Sequence, residues 1–346
     1  MRSRHSTDAA SELTSQSTIQ VCDAPAIPGL SFRRFRGEPD YPVMVAILDA
    51  CNDADRLEYV NTIEDITSVF AHLTNCDLYR DMLFAEVNGA TVAFGRVWWI
   101  EENAAHRLYI PLGFVHPDWR HQGLGAAMLR YNEGRLREFA RTHPQGDKHF
   151  RTWATDKEYG ALALFASSGY EPVRHYIEMI RPIGTLLPNA PMPEGLEVRP
   201  TQAEQIRVIW EAKEEARRDH WGYAPATDSD YERWTQTRTF TLHVWKVAWD
   251  GNQVAGMVLN RLDEAQNDRY RRRRGYTQGV FVRRPWRRRG LARALLVQSI
   301  EMFREMGMEE TALGVDIQNP HGALKLYESV GYREARRHTF FNKRME

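Results

Sequence analysis

A chain of 346 residues has room for about two ordinary domains, and its 46 basic and 46 acidic residues leave no net charge. That balance excludes a strong overall field toward nucleic acid or a membrane surface, so any basic patch has to be local. Three cysteines without CxxC spacing argue against a disulfide framework and a zinc site, and no apolar run reaches the roughly 18 residues of a membrane span. We expect a reduced cytoplasmic protein with no metal and with neither nucleic acid nor membrane as a partner.

Two stretches of unusual composition divide the chain. Residues 1–28 are rich in Ser, Thr and Ala without a sustained period, which predicts a disordered tail; a cleaved transit peptide is an alternative that Asp8 and Glu12 weaken. The stretch RPIGTLLPNAPMPEG carries four prolines and two glycines, which predicts a linker over 184–195. The two predicted domains are therefore a first half, residues 29–183, and a second half, residues 196–346.

The two halves show the same order of elements. The first half is predicted to run through strands 30–35, 82–87, 91–99 and 108–115, helix 123–140, strand 150–154, helix 159–167 and a strand from 170. The second half is predicted to run through strand 196–199, a helix through 210, strands 242–249, 253–262 and 276–282, helix 290–306, strand 310–315, helix 321–330 and a strand from 332. Gly89 and Gly251 are 162 positions apart, as are Gly169 and Gly331. The sequence thus predicts a tandem duplication of one α/β unit with a mixed sheet.

Each half contains a loop between a strand and a helix that is suited to hold a phosphate. In the second half this loop lies in RPWRRRGLARALL, residues 284–296, and in the first half in RHQGLG, residues 120–125. The first N–H groups of a helix have no internal partner and its dipole favours negative charge. Gly290 allows close approach of the backbone, and the arginines add positive charge. Both loops are predicted anion sites.

These residues resemble the signature [RQ]xxGx[GA] of the GNAT acyltransferase superfamily. The segment NPHGALKLYESVGY, residues 319–332, is similar to that superfamily's later Nxx(x)AxxLYxxxGF segment. The resemblance covers nearly all of residues 30–346 as two units. It implies two tandem GNAT folds of mixed α/β class.

The resemblance implies an enzyme that transfers acetyl from acetyl-coenzyme A to a primary amine, expected to be a small molecule, by direct attack in the second half. Tyr327 would be the acid that protonates the leaving sulfur. The coenzyme-binding residues implied in the second half are Val280, Phe281, Val282, Arg287, Arg288, Arg289, Gly290, Leu291, Ala292 and Asn319. The first half offers a corresponding set in Val115, Arg120, Gln122, Gly123 and Gly125. It carries Lys157 and Phe165 where the second half has Asn319 and Tyr327, so it is expected to be degenerate and non-catalytic.

The general base and the acceptor site are less defined by the sequence. Tyr276 stands where some GNAT enzymes carry a glutamate, so Asp263 and Glu264 are the candidate bases; the alternative is that both are solvated turn carboxylates. Asp219, His220 and Trp221 are candidates for binding the amine substrate through charge and cation–π contact, or else form a packed loop with a capping Asp.

Two further alternatives stay open. The run Arg271–Arg274 is interpreted as a solvated loop or a contact to the 3′-phosphate of the coenzyme rather than as a nucleic-acid patch. The chain as a whole is alternatively a non-catalytic acyl-coenzyme A sensor, a partner-binding GNAT scaffold, or an N-acetyltransferase acting on proteins or peptides.

Overall fold

The computed structural model describes residues 19–103 and 106–346. Over these residues the chain forms strands and helices in the repeated order that the sequence predicts. The strands are β1 (Leu30–Arg33), β2 (Met82–Val87), β3 (Ala90–Asn103), β4 (His106–Val115), β5 (Asp147–Thr155), β6 (Glu171–Pro182), β7 (Glu197–Arg199), β8 (Lys246–Asp250), β9 (Gln253–Leu262), β10 (Arg274–Val282), β11 (Glu310–Asp316) and β12 (Arg333–Arg344). The helices are α1 (Tyr41–Asp55), α2 (Ile63–Ala71), α3 (Leu78–Asp81), α4 (Leu124–Thr142), α5 (Tyr159–Ser167), α6 (Ile206–Arg217), α7 (Asp228–Thr235), α8 (Glu264–Arg269), α9 (Leu291–Glu305) and α10 (Ala323–Ser329).

All twelve of these strands belong to one sheet, and each half completes the other. The strand order is β1-β2-β3-β4-β5-β12-β6-β11-β10-β9-β8-β7. The last strand of the first half, β6, pairs with β11, and the last strand of the second half, β12, pairs with β5. The two exchanged strands also pair with each other over most of their length. The mixed sheet predicted from the sequence is confirmed, and the strand exchange, which local patterning cannot reveal, fastens the halves together.

The structure corrects the sequence prediction at two places. Residues 19–28, assigned to the tail, pack on the first half: Val21 is buried in its core, and the Ile19 N–H donates to the Phe32 carbonyl at 3.1 Å. Residues 1–18 of the predicted tail lie outside the described residues. The predicted strand 242–249 begins only at Lys246, because residues 242–244 form a 3-10 turn. The apolar run misleads there, since Val244 and Trp245 are buried although they lie outside the strand.

The long helices cover one face of the sheet at its centre. In the second half α9 and α10 pack on β6 and β11, where Ile177, Leu313 and Val315 join Ile300 and Phe303 in one apolar cluster. The opposite face of the same strands carries polar and aromatic side chains and forms the candidate site. Within the described part of the chain, no helix combines the length and the apolar character that crossing a bilayer requires.

Candidate active site

Two parallel strands separate in the middle of each half. β10 and β11 are paired only from Arg274–Glu310 to Thr277–Leu313, although β10 continues to Val282 and β11 to Asp316. In the first half β4 and β5 likewise separate after Tyr109–Phe150. Beyond each separation one edge of the strand keeps backbone groups free of the parallel neighbour, so an extended ligand can lie there. β10 also has a register shift against β9, between Thr277 and Gly279, where its pairing with β11 ends.

The predicted phosphate loop lies just past the separated strands of the second half. Gly290 caps the N-terminus of α9 with φ +86°, and an added Cβ there would meet no atom within 4 Å. Arg288 takes the left-handed backbone as well, with φ +61°. The first intrahelical bond runs from the Ala294 N–H to the Gly290 carbonyl, so the preceding amides of α9 point out of the helix end. An open concave backbone at a helix N-terminus is what a phosphate requires.

The arginines of this loop divide into anchored and exposed groups. Arg287 is anchored: its Nε donates to the Val282 carbonyl at 2.9 Å and its Nη1 lies 2.7 Å from Asp219. Arg284 also binds Asp219. Arg288 and Arg289 are exposed beside Gly290. Arg289 donates to the Glu194 carbonyl at 3.0 Å, so Arg288 is the less restrained of the two toward an anion.

Asp219 therefore lies at the phosphate loop and not in an acceptor pocket. Hydrogen bonds from Arg284 and Arg287 hold the pKa of its carboxyl well below its usual range. The first half repeats the arrangement, because Arg120 binds Asp55 at 2.7 and 2.8 Å and the Val115 carbonyl at 3.2 Å. The first arginine of the signature is thus a brace for the loop in both halves.

Replacing Asp219 with Asn should loosen this brace. We expect acyl-coenzyme A to bind about 10-fold more weakly because Arg287 loses its charge-assisted bond to Asp219 and with it the fixed position of the loop. The acceptor KM should stay nearly constant. Asp55→Asn is the matched control in the first half and should leave turnover unchanged. An increase in acceptor KM alone, measured by initial rates, would instead place Asp219 at the acceptor.

The first-half loop has the same backbone but different surroundings. His121 and Gly123 have φ of +60° and +84°, like their counterparts Arg288 and Gly290. A Cβ on Gly123 would lie 3.5 Å from Pro25, because the packed segment before β1 passes this loop. Gln122 is turned back onto the Asp118 carbonyl at 3.2 Å. The cradle shape is preserved, with fewer cations around it.

Tyr327 lies on the helix-covered side of the separated strands. It is buried in the apolar cluster that Val280 and Leu313 join, with its ring 6.2 Å from that of Tyr332. Burial raises the pKa of its hydroxyl, so the proton is retained at neutral pH. Phe165 packs on Tyr170 in the same way, with ring centroids 5.8 Å apart. Asn319 precedes α10, where its side chain accepts from the His321 N–H at 2.8 Å.

A cavity of about 560 Å³ occupies the other face of the sheet beside the separated strands. Residues directly opposite on paired strands point to the same face. Arg261 of β9, Tyr276 of β10 and Ala312 of β11 are opposite one another. The small residues Ala312 and Gly314 leave a hollow there. The exchanged strands continue the same face with Tyr176, Glu178, Arg336 and His338.

A loop of the first half, Leu57–Tyr59, covers this cavity. Arg336 of β12 donates to the Leu57 carbonyl and the Tyr270 hydroxyl donates to the Tyr59 carbonyl. Glu58 has φ +59° and its carboxylate binds Arg272. Burial opposes ionisation of Glu58, but Arg272, Arg274 and Arg336 lower its pKa below the usual value. The cavity is consequently built by both halves.

The candidate bases from the sequence do not line this cavity. Asp263 is the buried N-cap of α8, where it accepts from the Gln266 N–H and binds Arg238 and Arg261. Burial raises the pKa of its carboxyl, but these bonds outweigh burial and lower it. Glu264 is exposed on the first turn of α8. Asp263 therefore acts as a cap and ion-pair partner in this structure.

The three acceptor candidates point in different directions. Asp219 contacts the phosphate loop, and His220 stacks on Phe281 with ring centroids 6.1 Å apart. Trp221 extends over the first half, where Arg151 and Arg174 lie 4.5 and 5.1 Å from its ring. The segment DHWGY repeats DRLEY, residues 55–59, at an offset of 164. Each segment reaches across to the other half, and comparison of the two sequences could have identified Leu57–Tyr59 as the cover of the second-half cavity.

The arginine run also proves to be an inter-half connection. Arg269 binds Asp49 and Asp53, and Arg272 binds Glu58, all in the first half. Arg273 and Arg274 bind Glu309 and Glu310. Arg272 and Arg274 are therefore held by ion pairs, whereas Arg271 and Arg273 are exposed, so the interpretation of the run as a solvated loop applies to half of its arginines.

The separated strands, the glycine-capped helix and the adjoining cavity define an acyl-coenzyme A-dependent acyltransferase fold in two units. Residues 207–332 match the "Acetyltransferase (GNAT) family" and residues 79–172 match the "Acetyltransferase (GNAT) domain". The chain belongs to the GNAT acetyltransferases and is a tandem member of that family. The resemblance seen in the sequence is confirmed.

Similar proteins support the tandem arrangement. A mycothiol acetyltransferase of Thermobispora bispora is 29% identical over 63% of this chain and 70% of its own length. One from Geodermatophilus obscurus is 26% identical over 73% of this chain and 79% of its own. A GCN5-related N-acetyltransferase from Sphaerobacter thermophilus has TM-score 0.67 and 25% identity over 91% of this chain and 95% of its own. A tandem GNAT protein from the clavulanic acid biosynthesis pathway shares the fold at TM-score 0.63 and 13% identity, over 91% and 98% of the two chains.

Proposed function

We propose that the second half transfers acetyl from acetyl-coenzyme A to a primary amine of a small molecule by direct attack. The observation that carries the proposal is the cavity of about 560 Å³, which lies where β10 and β11 separate, with Thr277, Leu313 and Gly314 in its lining. Leu57–Tyr59 of the first half cover one side of this cavity. A covered cavity suits a small molecule better than an extended peptide, which needs a groove open at both ends.

The residues present fit an acyl-coenzyme A donor. Gly290 leaves room for a phosphate, Arg288 and Arg289 flank it, and β10 offers backbone along Val280–Val282. When bound, acetyl-coenzyme A supplies an acetyl group activated as a thioester. The N–H groups of β10 would hold the carbonyl end, and an N–H donor placed at such an oxygen can contribute about 3 kcal/mol to the barrier.

The relatives named mycothiol acetyltransferases suggest where to look for the acceptor. Their name connects them to a small thiol compound rather than a protein, and aromatic side chains with mixed charges line the cavity of this chain. We propose that the acceptor of this chain is likewise a small molecule, polar and with a primary amine.

The test combines donor binding with acceptor turnover. Isothermal titration measures acetyl-coenzyme A binding, and release of free coenzyme thiol is followed for a panel that holds glucosamine, deacetylated mycothiol and peptides with free N-termini. We expect donor binding, and turnover with small amines. Turnover with peptides alone would favour the protein N-acetyltransferase, and binding without any turnover would favour the sensor.

A further inference from the structure

We propose that Glu178, a residue of the first half, is the general base for the acceptor amine in the second half. The inference rests on the proposed function. It follows from the strand exchange, because β6 carries Glu178 out of its own half and places it between β11 and β12.

The sheet register puts Glu178 next to the reacting region. Its direct partner on β11 is Gly314, the residue after the last parallel pair of β10 and β11, at Leu313. Opposite residues share a face, and Gly314 has no side chain to stand between Glu178 and the hollow. Two carboxylates line the cavity among the described residues, Glu178 and Glu58.

Glu178 is the less firmly held of these two carboxylates. Arg274 donates a long hydrogen bond to Glu178 at 3.5 Å, and Arg336 lies 3.6 Å from its other oxygen; both distances exceed the about 2.7–3.2 Å of a normal N–H···O bond. Arg274 makes its short contact with Glu310 at 2.7 Å, and Arg336 donates to carbonyls of the covering loop. Glu178 thus has oxygen lone pairs available for a ligand, whereas Glu58 is bound by Arg272.

The groups that face Glu178 come from three surrounding elements. β10 contributes Arg274 and Tyr276, β12 contributes Arg336 and His338, and the covering loop contributes Tyr59 and Glu58. On its own strand Tyr176 is the next residue on the same face. His338 is the competing base, since burial lowers the pKa of its imidazole. His338 lies opposite Tyr176, which is two residues from Glu178 along β6, whereas Glu178 itself is opposite Gly314.

The step is a proton transfer followed by acyl transfer. An ammonium group entering the cavity gives a proton to the Glu178 carboxylate and becomes a neutral amine. The amine nitrogen bonds to the thioester carbonyl carbon, the carbon–sulfur bond breaks, and the sulfur leaves with the electron pair. The nitrogen loses its second proton as the amide forms and the sulfur gains one, so the acyl transfer itself neither consumes nor releases a proton. Glu178 then returns its proton to water.

Glu178→Gln tests the base directly. With the best amine of the panel we expect kcat/KM at pH 7 to fall roughly 100-fold, in the range of general-base catalysis. The deficit should shrink as pH rises, because solution then supplies neutral amine. Hydroxylamine, which is largely neutral at pH 7, should react at nearly the same rate with Glu178→Gln and wild type. Acetyl-coenzyme A affinity by titration should not change.

Control variants distinguish a general base at Glu178 from a residue that is needed only for packing. Glu58→Gln should alter KM and keep the wild-type pH profile, and Glu178→Asp should retain part of the rate with that same profile. The Asp variant carries the test if the Gln variant does not fold. An unchanged rate and profile in Glu178→Gln, or the predicted pH effect in His338→Gln instead, overturns the proposal. Absence of turnover in wild type with every amine defeats the proposed function itself, which is a separate result.

Discussion

Gly290→Glu should abolish acyl-coenzyme A binding, so that titration of acetyl-coenzyme A gives no measurable heat. Gly290 lies at the N-terminus of α9, and a Cβ there projects into open space. The new carboxylate would occupy the space meant for a phosphate and would compete for the same free N–H groups and cations. Coulombic repulsion of the phosphate adds to the loss.

Two matched variants separate charge from backbone strain. At φ +86° any L side chain costs about 1 kcal/mol or more, so Gly290→Asn, which tolerates this conformation, reports the strain without the charge. Gly123→Glu places the same carboxylate in the first-half loop, where φ is +84°. We expect Gly290→Asn to bind with reduced affinity and Gly123→Glu to leave binding to the second half intact. Wild-type affinity in Gly290→Glu would remove this loop from the donor site.

Features that form within a single stretch of chain could be predicted from the sequence. Gly290, Arg287 and Tyr327 are recognisable because the phosphate loop and α10 are local structures, whose spacing is visible in a single stretch of chain. The repeated glycines and turns reveal the tandem layout for the same reason. Roles inside these stretches are harder to predict: Arg287 and Asp219 form an ion pair across 68 positions, which makes Asp219 part of the loop's support.

The cavity proposed for the acceptor could not be predicted in this way, because no local segment forms it. Glu178 and Arg336 come from the two exchanged strands, and Leu57–Tyr59 come from a loop of the opposite half. A prediction that treats each half as self-contained looks for the base near Tyr276 within the second half, and so selects Asp263 and Glu264. Strand exchange depends on long-range pairing, which hydrophobic periodicity does not encode.

Tyr327→Phe should slow turnover by about 10- to 10⁴-fold while acetyl-coenzyme A affinity stays close to wild type. Phe keeps the ring that packs on Tyr332 and removes only the hydroxyl group. Tyr332→Phe is the matched control: its buried hydroxyl lies 3.2 Å from that of Thr311 and belongs to the fold. That control should lower the midpoint of unfolding without a comparable loss of kcat. Equal kcat in wild type and Tyr327→Phe would reduce Tyr327 to a packing residue.

Tyr327 and the proposed base Glu178 lie on opposite faces of the separated strands. Tyr327 packs with α9 on one face of the separated strands, and the cavity with Glu178 lies on the other. The amine would lose its proton on the cavity face, and the sulfur would receive one from the helix face, so the two transfers need not share a group. Loss of the acid should therefore lower kcat with hydroxylamine as well, whereas loss of the base should spare that acceptor. The double variant with an ordinary amine should combine both deficits, and a deficit equal to either single variant would show that the two residues act in one step as a unit.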